Sequence, residues 1–548
     1  MAVKEQLAKQ RDMGKDQTMS ELAAQQNSAT GQTGVLAWIE RTGNRLPDPV
    51  FLFLGLIAGL VVLSMIAAAA GWSALHPTEI DEATGQAKVI AATSLLSADN
   101  IRTLWVDMPK TFTHFHPLGY VLVVMLGAGV AERSGLFGTA MRAGVSGAPT
   151  VLLTPIVAFV AMMGNLAADA AYVVLIPLAG IIFHAAGRHP IAGIAAAFAG
   201  VSGGFSANLL PGQLDALLFG ITEAAVETVF ADFTANIAGN WYFIAAMLVI
   251  FLPVIWYVTD RVIEPRLGPW DPARAGSAGA NEQVSDELTG AERKGLRRAG
   301  LATLFVVGLW LLFTFGPGTP LIDEEASAEA RLTPLYQSLV GGFFLLFLLA
   351  GWAYGKAAGT VSDHRGLVRM MSESMADMAY YLVLAFTAAH FVAMFAWSNL
   401  GLILAVQGAD LLKASGLPAW ALLMLIVVFT ALLNLFVGSA SAKWALLAPV
   451  LVPMLMLLGI TPEMTTAAYR VGDGATNIIT PLMVYFPLIL IFCQRWQKDF
   501  GLGSLAATML PFSIGLLLSG MVLVGAWVML DLPLGPGASV FAPVPAAP

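Results

Sequence analysis

The stretch GSASAKWALLAP, from Gly438 to Pro449, places one lysine and two serines inside a strongly apolar part of the chain. A second stretch, YRVGDGATNIITPL from Tyr469 to Leu482, adds an arginine, an aspartate and two glycines in similar surroundings. In a bilayer each unpaired backbone group costs several kcal/mol, so a chain leaves helical geometry only where protein or a water-filled cavity covers it. The two stretches therefore predict interrupted helices that converge inside a membrane protein.

Composition places the chain in the membrane class. Of its 548 residues, 57% are hydrophobic and 12% are charged, whereas a soluble domain carries about 25% charged residues. The run Pro49–Trp72 exceeds the ~20 residues that cross a bilayer. We therefore predict an all-α polytopic membrane protein, with further apolar runs near 117–131, 241–258, 299–315, 336–353, 418–437 and 505–530.

Several classes of function are not expected from this sequence. A single cysteine, Cys493, rules out an intramolecular disulfide and argues against a cysteine-based metal site. The basic run ERKGLRRAG (Glu292–Gly300) is typical of a juxtamembrane anchor, and we find no nucleic-acid patch. The first apolar run follows 48 mostly polar residues, so no cleavable signal is predicted. An intramembrane hydrolase is not expected, because GVSGGFSAN lacks the G-x-S-x-G spacing and no H-E-x-x-H occurs.

Lysine and arginine counts give an expected orientation in the membrane. The tail through Arg45 carries six of these residues, and the 259–298 loop carries seven. The acidic loop GPGTPLIDEEASAEARLTP carries one, Arg331, and the last eighteen residues carry none. We therefore expect the N-terminus in the cytoplasm, the C-terminus outside, and an odd number of crossings.

The two halves of the chain resemble each other. Moving the second half back by 272 residues superposes glycines on glycines and prolines on prolines. Paired interruptions in two halves are the sequence pointer to a transporter's central site. The superposed pairs are Pro177 with Pro449, Gly187 with Gly459, Pro190 with Pro462 and Gly200 with Gly472, and Tyr172 meets Trp444.

Two apolar segments with small polar residues near their centres predict re-entrant hairpins. Hairpin 1, near 150–183, and hairpin 2, near 420–458, are each predicted to form a short helix, a turn and a helix that returns to the same side. The stretches 200–212 and 471–482 are predicted to be unwound segments within helices. The expected division of the chain is a polar cytoplasmic tail (1–47), a first membrane half (48–260), a cytoplasmic linker (261–298), a second membrane half (299–531) and an external tail (532–548).

The second half carries the clearest candidate site. Arg470, Asp473 and Asn477 have the spacing i, i+3, i+7, which places the first two on one helix face. Ser441 and Trp444 share the i, i+3 spacing, although the tryptophan could equally be a packing residue. A charge at the bilayer centre costs roughly 2.5–3.5 kcal/mol. The charged residues therefore indicate a bound charge or a proton path.

Simpler roles stay open for the charged residues. Arg470 and Asp473 could neutralise each other and pin two helices together. Lys443 is expected to snorkel or to bond a helix end. Asp169 and Asp215 are the carboxylates of the first half, and each is expected to be a structural or coupling group rather than a substrate contact.

Several long stretches resemble the AbgT family, the p-aminobenzoyl-glutamate transporters. The signature region of that family is similar to SAKWALLAPVLVPMLMLLGITPEMTTAAYRVGDGATNIITPLMVYFPLI. Its first half is similar to GRHPIAGIAAAFAGVSGGFSANLL, DALLFGITEAA and NWYFIAAMLVI with VIEPRLG, and the resemblance runs from about Thr33 to Leu530. One departure is Ala168 in NLAADA, where a serine is expected before the aspartate.

This resemblance implies nine membrane-spanning helices and two opposed hairpins in inverted repeats, assembled as a homodimer in the inner membrane. It implies a cation-coupled transporter rather than an enzyme, with no cofactor, whose central segments move across a dimeric scaffold. The implied substrates are p-aminobenzoyl-glutamate, p-aminobenzoate and sulfonamide antimetabolites, and a sodium-coupled carrier of other organic anions such as dicarboxylates is the alternative. Direction and the choice of sodium or protons stay open.

The resemblance also implies individual site residues. The implied ligands of a bound sodium ion are Asn434, Asp473 and Asn477, with backbone oxygens of hairpin 2. The implied substrate positions are Asp215, Ser441, Trp444, Pro462, Arg470 and Asp473.

Overall fold

Helices form most of the described chain. The computed structural model describes residues 48–80, 86–145, 149–167, 171–227, 236–271, 288–325, 331–480, 482–483 and 485–542. Within these ranges seven helices are long and apolar enough to cross a membrane. Two further segments, 190–227 and 462–496, are interrupted and contain two shorter helices each. With each interrupted segment counted as one crossing, the described residues are consistent with the nine crossings predicted. The expected tail 1–47, Ala168 and Asp169 lie outside the described residues.

The first half begins with the apolar run predicted near residue 49. Its first helix is capped by Asp48, whose Oδ1 accepts a hydrogen bond from the backbone N–H of Val50 at 2.8 Å. Short π-helical turns at Ala171–Leu175, Ala199–Gly203 and Thr259–Ile263 adjoin its helices. These helices are α1 (Pro49–Ala69), α2 (Ala98–Thr113), α3 (His116–Arg133), α4 (Leu136–Val145), α5 (Leu153–Met163), α6 (Ile176–Ala185), α7 (Pro190–Phe198), α8 (Gln213–Glu227) and α9 (Trp241–Val258).

The second half starts with a helix that is fixed by a capping box. The hydroxyl of Thr289 accepts from the backbone N–H of Glu292 at 3.2 Å, and the Glu292 carboxylate accepts from the backbone N–H of Thr289 at 2.8 Å. The helices from the linker onward are α10 (Glu264–Leu267), α11 (Gly290–Phe315), α12 (Thr333–Gln337), α13 (Leu339–Ala358), α14 (His364–Asp377), α15 (Ala379–Trp397), α16 (Leu400–Ala414), α17 (Ala419–Asn434), α18 (Ala440–Met456), α19 (Pro462–Thr476), α20 (Phe486–Trp496) and α21 (Leu502–Leu530).

One small sheet adds to the predicted all-α fold. The strands β1 (Ser73–Ile80) and β2 (Ala87–Ala91) pair antiparallel, with Ser73 opposite Ala91. The side-chain amide of Asn399, just before α16, donates to the carbonyl of Ala91 at 2.9 Å. The sheet is therefore attached to the start of α16.

The repeat predicted from glycine and proline positions is visible in the backbone. Gly187 follows α6 with φ of 73°, and Gly459 follows α18 with φ of 80°. Both values lie in the left-handed region that glycine adopts most readily. Pro190 and Pro462 then stand in the first turns of α7 and α19, where a proline needs no hydrogen-bonded N–H. The same turn therefore leads from a hairpin into an interrupted helix in both halves.

The repeat extends beyond the part that the sequence shift revealed. Ser134 and Ser398 end α3 and α15, and each hydroxyl donates to the carbonyl three residues earlier. Each hydroxyl oxygen also accepts from the amide two residues later, at the start of α4 and α16. Gly135 and Asn399, the residues between these helices, have φ of 90° and 60°. Glycine and asparagine are the residues that tolerate this conformation best, so the two junctions use different residues for one geometry.

The second interrupted helix unwinds later than predicted. In the first half a π turn at Ala199–Gly203 is followed by non-helical backbone as far as Gly212. In the second half α19 stays helical through Thr476, so the predicted unwinding of 471–476 is wrong. The glycines of this segment do not break α19 but allow it to approach the first interrupted helix closely. A Cβ at Gly474 would lie 3.0 Å from the carbonyl oxygen of Gly203.

In each hairpin a side-chain hydrogen bond links the two arms, at the open end of hairpin 1 and at the turn of hairpin 2. In hairpin 1, Arg188 Nη1 donates to Thr154 Oγ1 at 2.8 Å, which connects the start of α5 with the loop after α6. The two arms therefore begin and end on the same side. In hairpin 2, Lys443 Nζ donates to Asn434 Oδ1 across the turn between α17 and α18. Beyond that turn α17 packs chiefly on α19, and α18 packs on α8 and α16.

The apolar interior is divided into separate cores. The largest core is built from hairpin 1, α7, α9, α19, α20 and α21, together with α17. A second core contains α1, α8, α15 and α18. A third is formed mainly by α3 and α13. Contiguous cores of this kind identify groups of helices that pack as units.

The glycines in the interrupted helices hold these helices against the hairpins. A Cβ at Gly200 would lie 2.5 Å from the Cβ of Ala161 in α5, and a Cβ at Gly472 would lie 2.3 Å from the carbonyl oxygen of Val427 in α17. Gly472→Ala is therefore expected to push α19 away from α17. Overpacking of this kind destabilises a protein by about 1–3 kcal/mol.

Thermal unfolding in detergent tests this expectation, with Gly308→Ala as the matched control. Gly308 also lies inside a helix, α11, but has no atom within 4 Å of an added Cβ. We expect Gly472→Ala to lower the melting temperature and Gly308→Ala to leave it unchanged or raise it slightly. Equal melting temperatures for the two variants would show that the α17–α19 contact is not tight.

Candidate functional site

Helix α19 carries the charged residues of the predicted site and is almost completely buried. It begins at Thr461, whose hydroxyl accepts from the backbone N–H of Met464 at 3.3 Å, and Pro462 occupies its first turn. Arg470 and Asp473 lie about two and three turns further along. Both charges are therefore enclosed by protein, where each needs a partner of opposite sign.

The partner of Arg470 is Asp215, in the first turn of α8. Arg470 Nη2 lies 2.7 Å from Asp215 Oδ1, and the two side chains are 3% and 9% exposed. The other carboxylate oxygen of Asp215 accepts from the backbone N–H of Gly212 at 2.7 Å. This charge-assisted pair links the first half of the chain to the second.

The partner of Asp473 is Lys443, on the returning arm of hairpin 2. Lys443 Nζ contacts Asp473 Oδ1 and also donates to Asn434 Oδ1. The two charged side chains are 0% and 2% exposed, so this pair is fully enclosed. The expectation that Lys443 snorkels is wrong, whereas its bond to Asn434, the last residue of α17, agrees with the expected contact to a helix end. The alternative in which Arg470 and Asp473 neutralise each other is also wrong, because each has a different partner.

Asn434 connects the end of α17 to the end of α19. Its Nδ2 lies 2.8 Å from the carbonyl oxygen of Asp473, 2.8 Å from Asn477 Oδ1 and 3.0 Å from Thr476 Oγ1. Asn477 Nδ2 in turn donates to the carbonyl of Ser202 at 3.4 Å, in the first interrupted helix. The predicted cation ligands Asn434, Asp473 and Asn477 are thus brought together where both interrupted helices meet.

The oxygens of these three residues suit a hard cation such as sodium by their chemistry. In this conformation, however, protein donors already use them. Lys443 binds Asn434 Oδ1 and Asp473 Oδ1, and Asn434 donates to Asn477 Oδ1. A sodium ion at this position therefore requires Lys443 to withdraw. Among the described residues no group of three or more histidine, cysteine, aspartate or glutamate side chains could hold a metal ion.

Trp444 lies beside this cluster but is completely buried. Its ring packs on Tyr469 with centroids 4.4 Å apart, and its Nε1 donates to Thr222 Oγ1 at 2.9 Å. The Tyr469 hydroxyl donates to the carbonyl of Ala440 at 2.6 Å and lies 3.3 Å from Asp473 Oδ1. In this conformation Trp444 is a packing residue that becomes available to a ligand only if α18 and α19 separate.

Ser441 and Pro462 lie apart from the charge pairs. Ser441 lines a small, mostly apolar cavity with Phe53 and Tyr381. Pro462 stands at the start of α19, eight residues before Arg470, which corresponds to about 12 Å along a helix. The structure thus joins Asp215 to Arg470 and Asp473 to the asparagines, whereas it does not bring Ser441 or Pro462 to either pair.

A polar cavity adjoins the Arg470–Asp215 pair. It lies between α8, α19 and residues 236–240, and it is large enough for a water molecule but far too small for an aromatic acid. Its lining includes five polar residues that are not among the predicted site residues: Thr222, Asn236, Asn240, Glu463 and Thr466. Thr466 and Glu463 could have been found from their i−4 and i−7 spacing to Arg470, which places them on the same helix face.

Comparison with known proteins agrees with this architecture over nearly the whole chain. Residues 34–542 match the family described as “AbgT putative transporter family”. The p-aminobenzoyl-glutamate transport protein of Escherichia coli (strain K12) is 35% identical over 510 residues, which cover 93% of this chain and 97% of that protein.

Two solved structures are similar in fold as well as in sequence. The YdaH transporter of Alcanivorax borkumensis is 42% identical, with a TM-score of 0.82 over 89% of this chain and 100% of that one. MtrF of Neisseria gonorrhoeae, described with a class of antimetabolite efflux pumps, is 41% identical, with a TM-score of 0.85 over 92% of this chain and 100% of that one. The chain therefore belongs to the AbgT family of membrane transporters.

Proposed function

We propose that this protein is a cation-coupled secondary transporter of aromatic acids of the p-aminobenzoyl-glutamate and p-aminobenzoate type. The observation that carries the proposal is the pair of buried salt bridges Arg470–Asp215 and Lys443–Asp473, each of which has one partner on α19. Burying charges is expensive, and a well-packed apolar pair is often at least as stable. Two such pairs at the junction of two interrupted helices are therefore explained best by a charged substrate and a driving ion.

The Arg470–Asp215 pair is the proposed substrate side. A carboxylate is the ligand that a guanidinium binds best, because two parallel hydrogen bonds can form. Nε of Arg470 is buried, and none of the described residues accepts a hydrogen bond from it. This donor remains for a substrate carboxylate, and the adjoining cavity with Thr222 and Thr466 gives the carboxylate a polar route to it. Ser441, Trp444 and Pro462 are proposed to contact substrate in more open conformations.

The Lys443–Asp473 pair is the proposed coupling side. Asp473 with Asn434 and Asn477 offers oxygen ligands, and the Lys443 ammonium holds two of these residues in this conformation. We propose that sodium and the ammonium occupy this position in turn. A proton gradient is the alternative driving force, and gradient experiments separate the two.

Movement of one group of helices against another would open the site alternately to each side. The separate cores support this proposal, because the hairpin 1 core and the α3–α13 core can shift as units. We propose an elevator-like mechanism in a homodimer of the inner membrane. The N-terminus is proposed to be cytoplasmic and the C-terminus external, as the charge distribution of the loops predicts.

Counterflow in proteoliposomes tests the proposed function. Purified protein is reconstituted with p-aminobenzoyl-glutamate, p-aminobenzoate, a sulfonamide and a dicarboxylate, and sodium and pH gradients are imposed separately. We expect saturable exchange of the aromatic acids, accelerated by one of the two gradients. Exchange of the dicarboxylate alone would favour a carrier of other organic anions, and conductance without any gradient dependence would contradict a coupled transporter.

A further inference from the structure

Two residues that line the polar cavity beside the Arg470–Asp215 pair each carry a buried side-chain atom without a hydrogen-bond partner among the described residues. These atoms are Arg470 Nε, which can only donate, and Asn240 Oδ1, which can only accept. Arg470 is 3% exposed and Asn240 is 7% exposed, and among the described residues none satisfies either atom. Buried polar atoms in native proteins are nearly always hydrogen-bonded, so a ligand group is the natural partner for each.

The orientation of Asn240 is fixed by its other hydrogen bond. Its Nδ2 donates to the backbone carbonyl of Glu463 at 3.0 Å, in the first turn of α19. With the amide nitrogen held there, Oδ1 is the atom left for a ligand. The carboxylate of Glu463 lines the same cavity and adds a second acceptor. This end of the cavity therefore favours a hydrogen-bond donor and disfavours an anion.

The opposite end of the cavity has the opposite preference. Arg470 lies seven residues, or about two turns and 10 Å of helix axis, from Glu463. The acceptor end and the donor end therefore lie at different levels along α19.

We propose that Asn240 is a specificity-determining residue that accepts a hydrogen bond from the aryl amine of the substrate. The acyl or carboxylate end of the same aromatic ring then faces Arg470. Thr222 and Thr466, whose hydroxyl oxygens lie 3.2 Å apart, line the cavity between the two ends. The cavity has to widen to admit the ring. This inference rests on the proposed transport of p-aminobenzoyl compounds, and it assigns the para-amino selectivity to a residue outside α19.

Binding selectivity of the purified protein tests the assignment. The dissociation constants of p-aminobenzoate, benzoate and 4-(dimethylamino)benzoate are measured by calorimetry for the wild type, Asn240→Leu and Asn240→Asp. The leucine variant loses Oδ1 and Nδ2, whereas the aspartate variant keeps an acceptor, loses the Nδ2 bond to Glu463 and adds a negative charge beside it. The two variants therefore separate recognition of the amine from the structural hydrogen bond.

We expect the wild type to prefer p-aminobenzoate over both analogues by about tenfold, which is the effect of losing one hydrogen bond. This ratio should fall to near one in Asn240→Leu and persist in Asn240→Asp. An equal ratio in the wild type and Asn240→Leu, or no preference in the wild type because water alone bridges the two atoms, would overturn the assignment. If the wild type binds none of the three acids, the proposed function fails as well.

Discussion

Arg470→Gln is expected to abolish transport of p-aminobenzoyl-glutamate and to destabilise the protein at the same time. The substitution removes the proposed carboxylate-binding group, and the loss of one such charged contact in a buried site weakens binding by about 30-fold or more. It also leaves Asp215 as a buried carboxylate whose remaining bond in the structure comes from the Gly212 amide. Removing one partner of a buried ion pair destabilises a protein by about 3–5 kcal/mol.

The double variant Arg470→Gln with Asp215→Asn separates these two effects. Both charges are removed together, and the two amides can bond each other in place of the ion pair. We therefore expect the melting temperature to return towards the wild-type value, while uptake into proteoliposomes stays absent. Wild-type uptake by the double variant would show that Arg470 has a structural role only.

Lys443→Met is expected to make the stability of the protein depend on sodium. The methionine fills much of the same volume but leaves Asp473 without its buried counter-charge, which destabilises by about 3–5 kcal/mol in the absence of a replacement. The oxygens of Asn434 and Asp473 then become free to bind a hard cation. A ligand that binds only the folded protein raises its stability by about 2.7 kcal/mol at a hundred times its dissociation constant.

Thermal unfolding in sodium, potassium and choline chloride at equal ionic strength measures this dependence. We expect Lys443→Met to melt at a higher temperature in sodium than in the other two salts, by a larger margin than the wild type. Lys413→Met is the matched control, because Lys413 lies in the last turn of α16 and is exposed. If Lys443→Met responds to the three salts as the control does, the site next to Asp473 is not a sodium site.

Much of the architecture could be predicted from the sequence because glycine and proline report backbone geometry directly. Gly187 and Gly459 occupy left-handed positions, and Pro190 and Pro462 start the two interrupted helices. These residues lie at fixed positions in both halves, so one sequence shift revealed the repeat. The two corresponding junctions at Gly135 and at Asn399 could not be matched in this way. Two different residue types adopt the same left-handed backbone conformation there.

The partners of the charged residues could not be predicted in the same way. Local spacing correctly placed Arg470 and Asp473 near each other on one helix. It could not show that Arg470 binds Asp215, which lies in the other half of the chain. The ion pair of Lys443 with Asp473 could not be predicted for the same reason, since the burial of Lys443 depends on how hairpin 2 packs against α19. Asn240 is the first residue of the family-like stretch NWYFIAAMLVI, but the stretch does not distinguish it, and only its place in the folded cavity marks it.

The central claim is that an aromatic acid binds where α8 and α19 meet, with its carboxylate on Arg470. A structure determined with p-aminobenzoyl-glutamate bound tests it most directly. The prediction is ligand density between these two helices, with a substrate carboxylate oxygen within hydrogen-bonding distance of Arg470. Ligand density elsewhere, with the Arg470–Asp215 pair intact and its cavity still closed, would contradict the account.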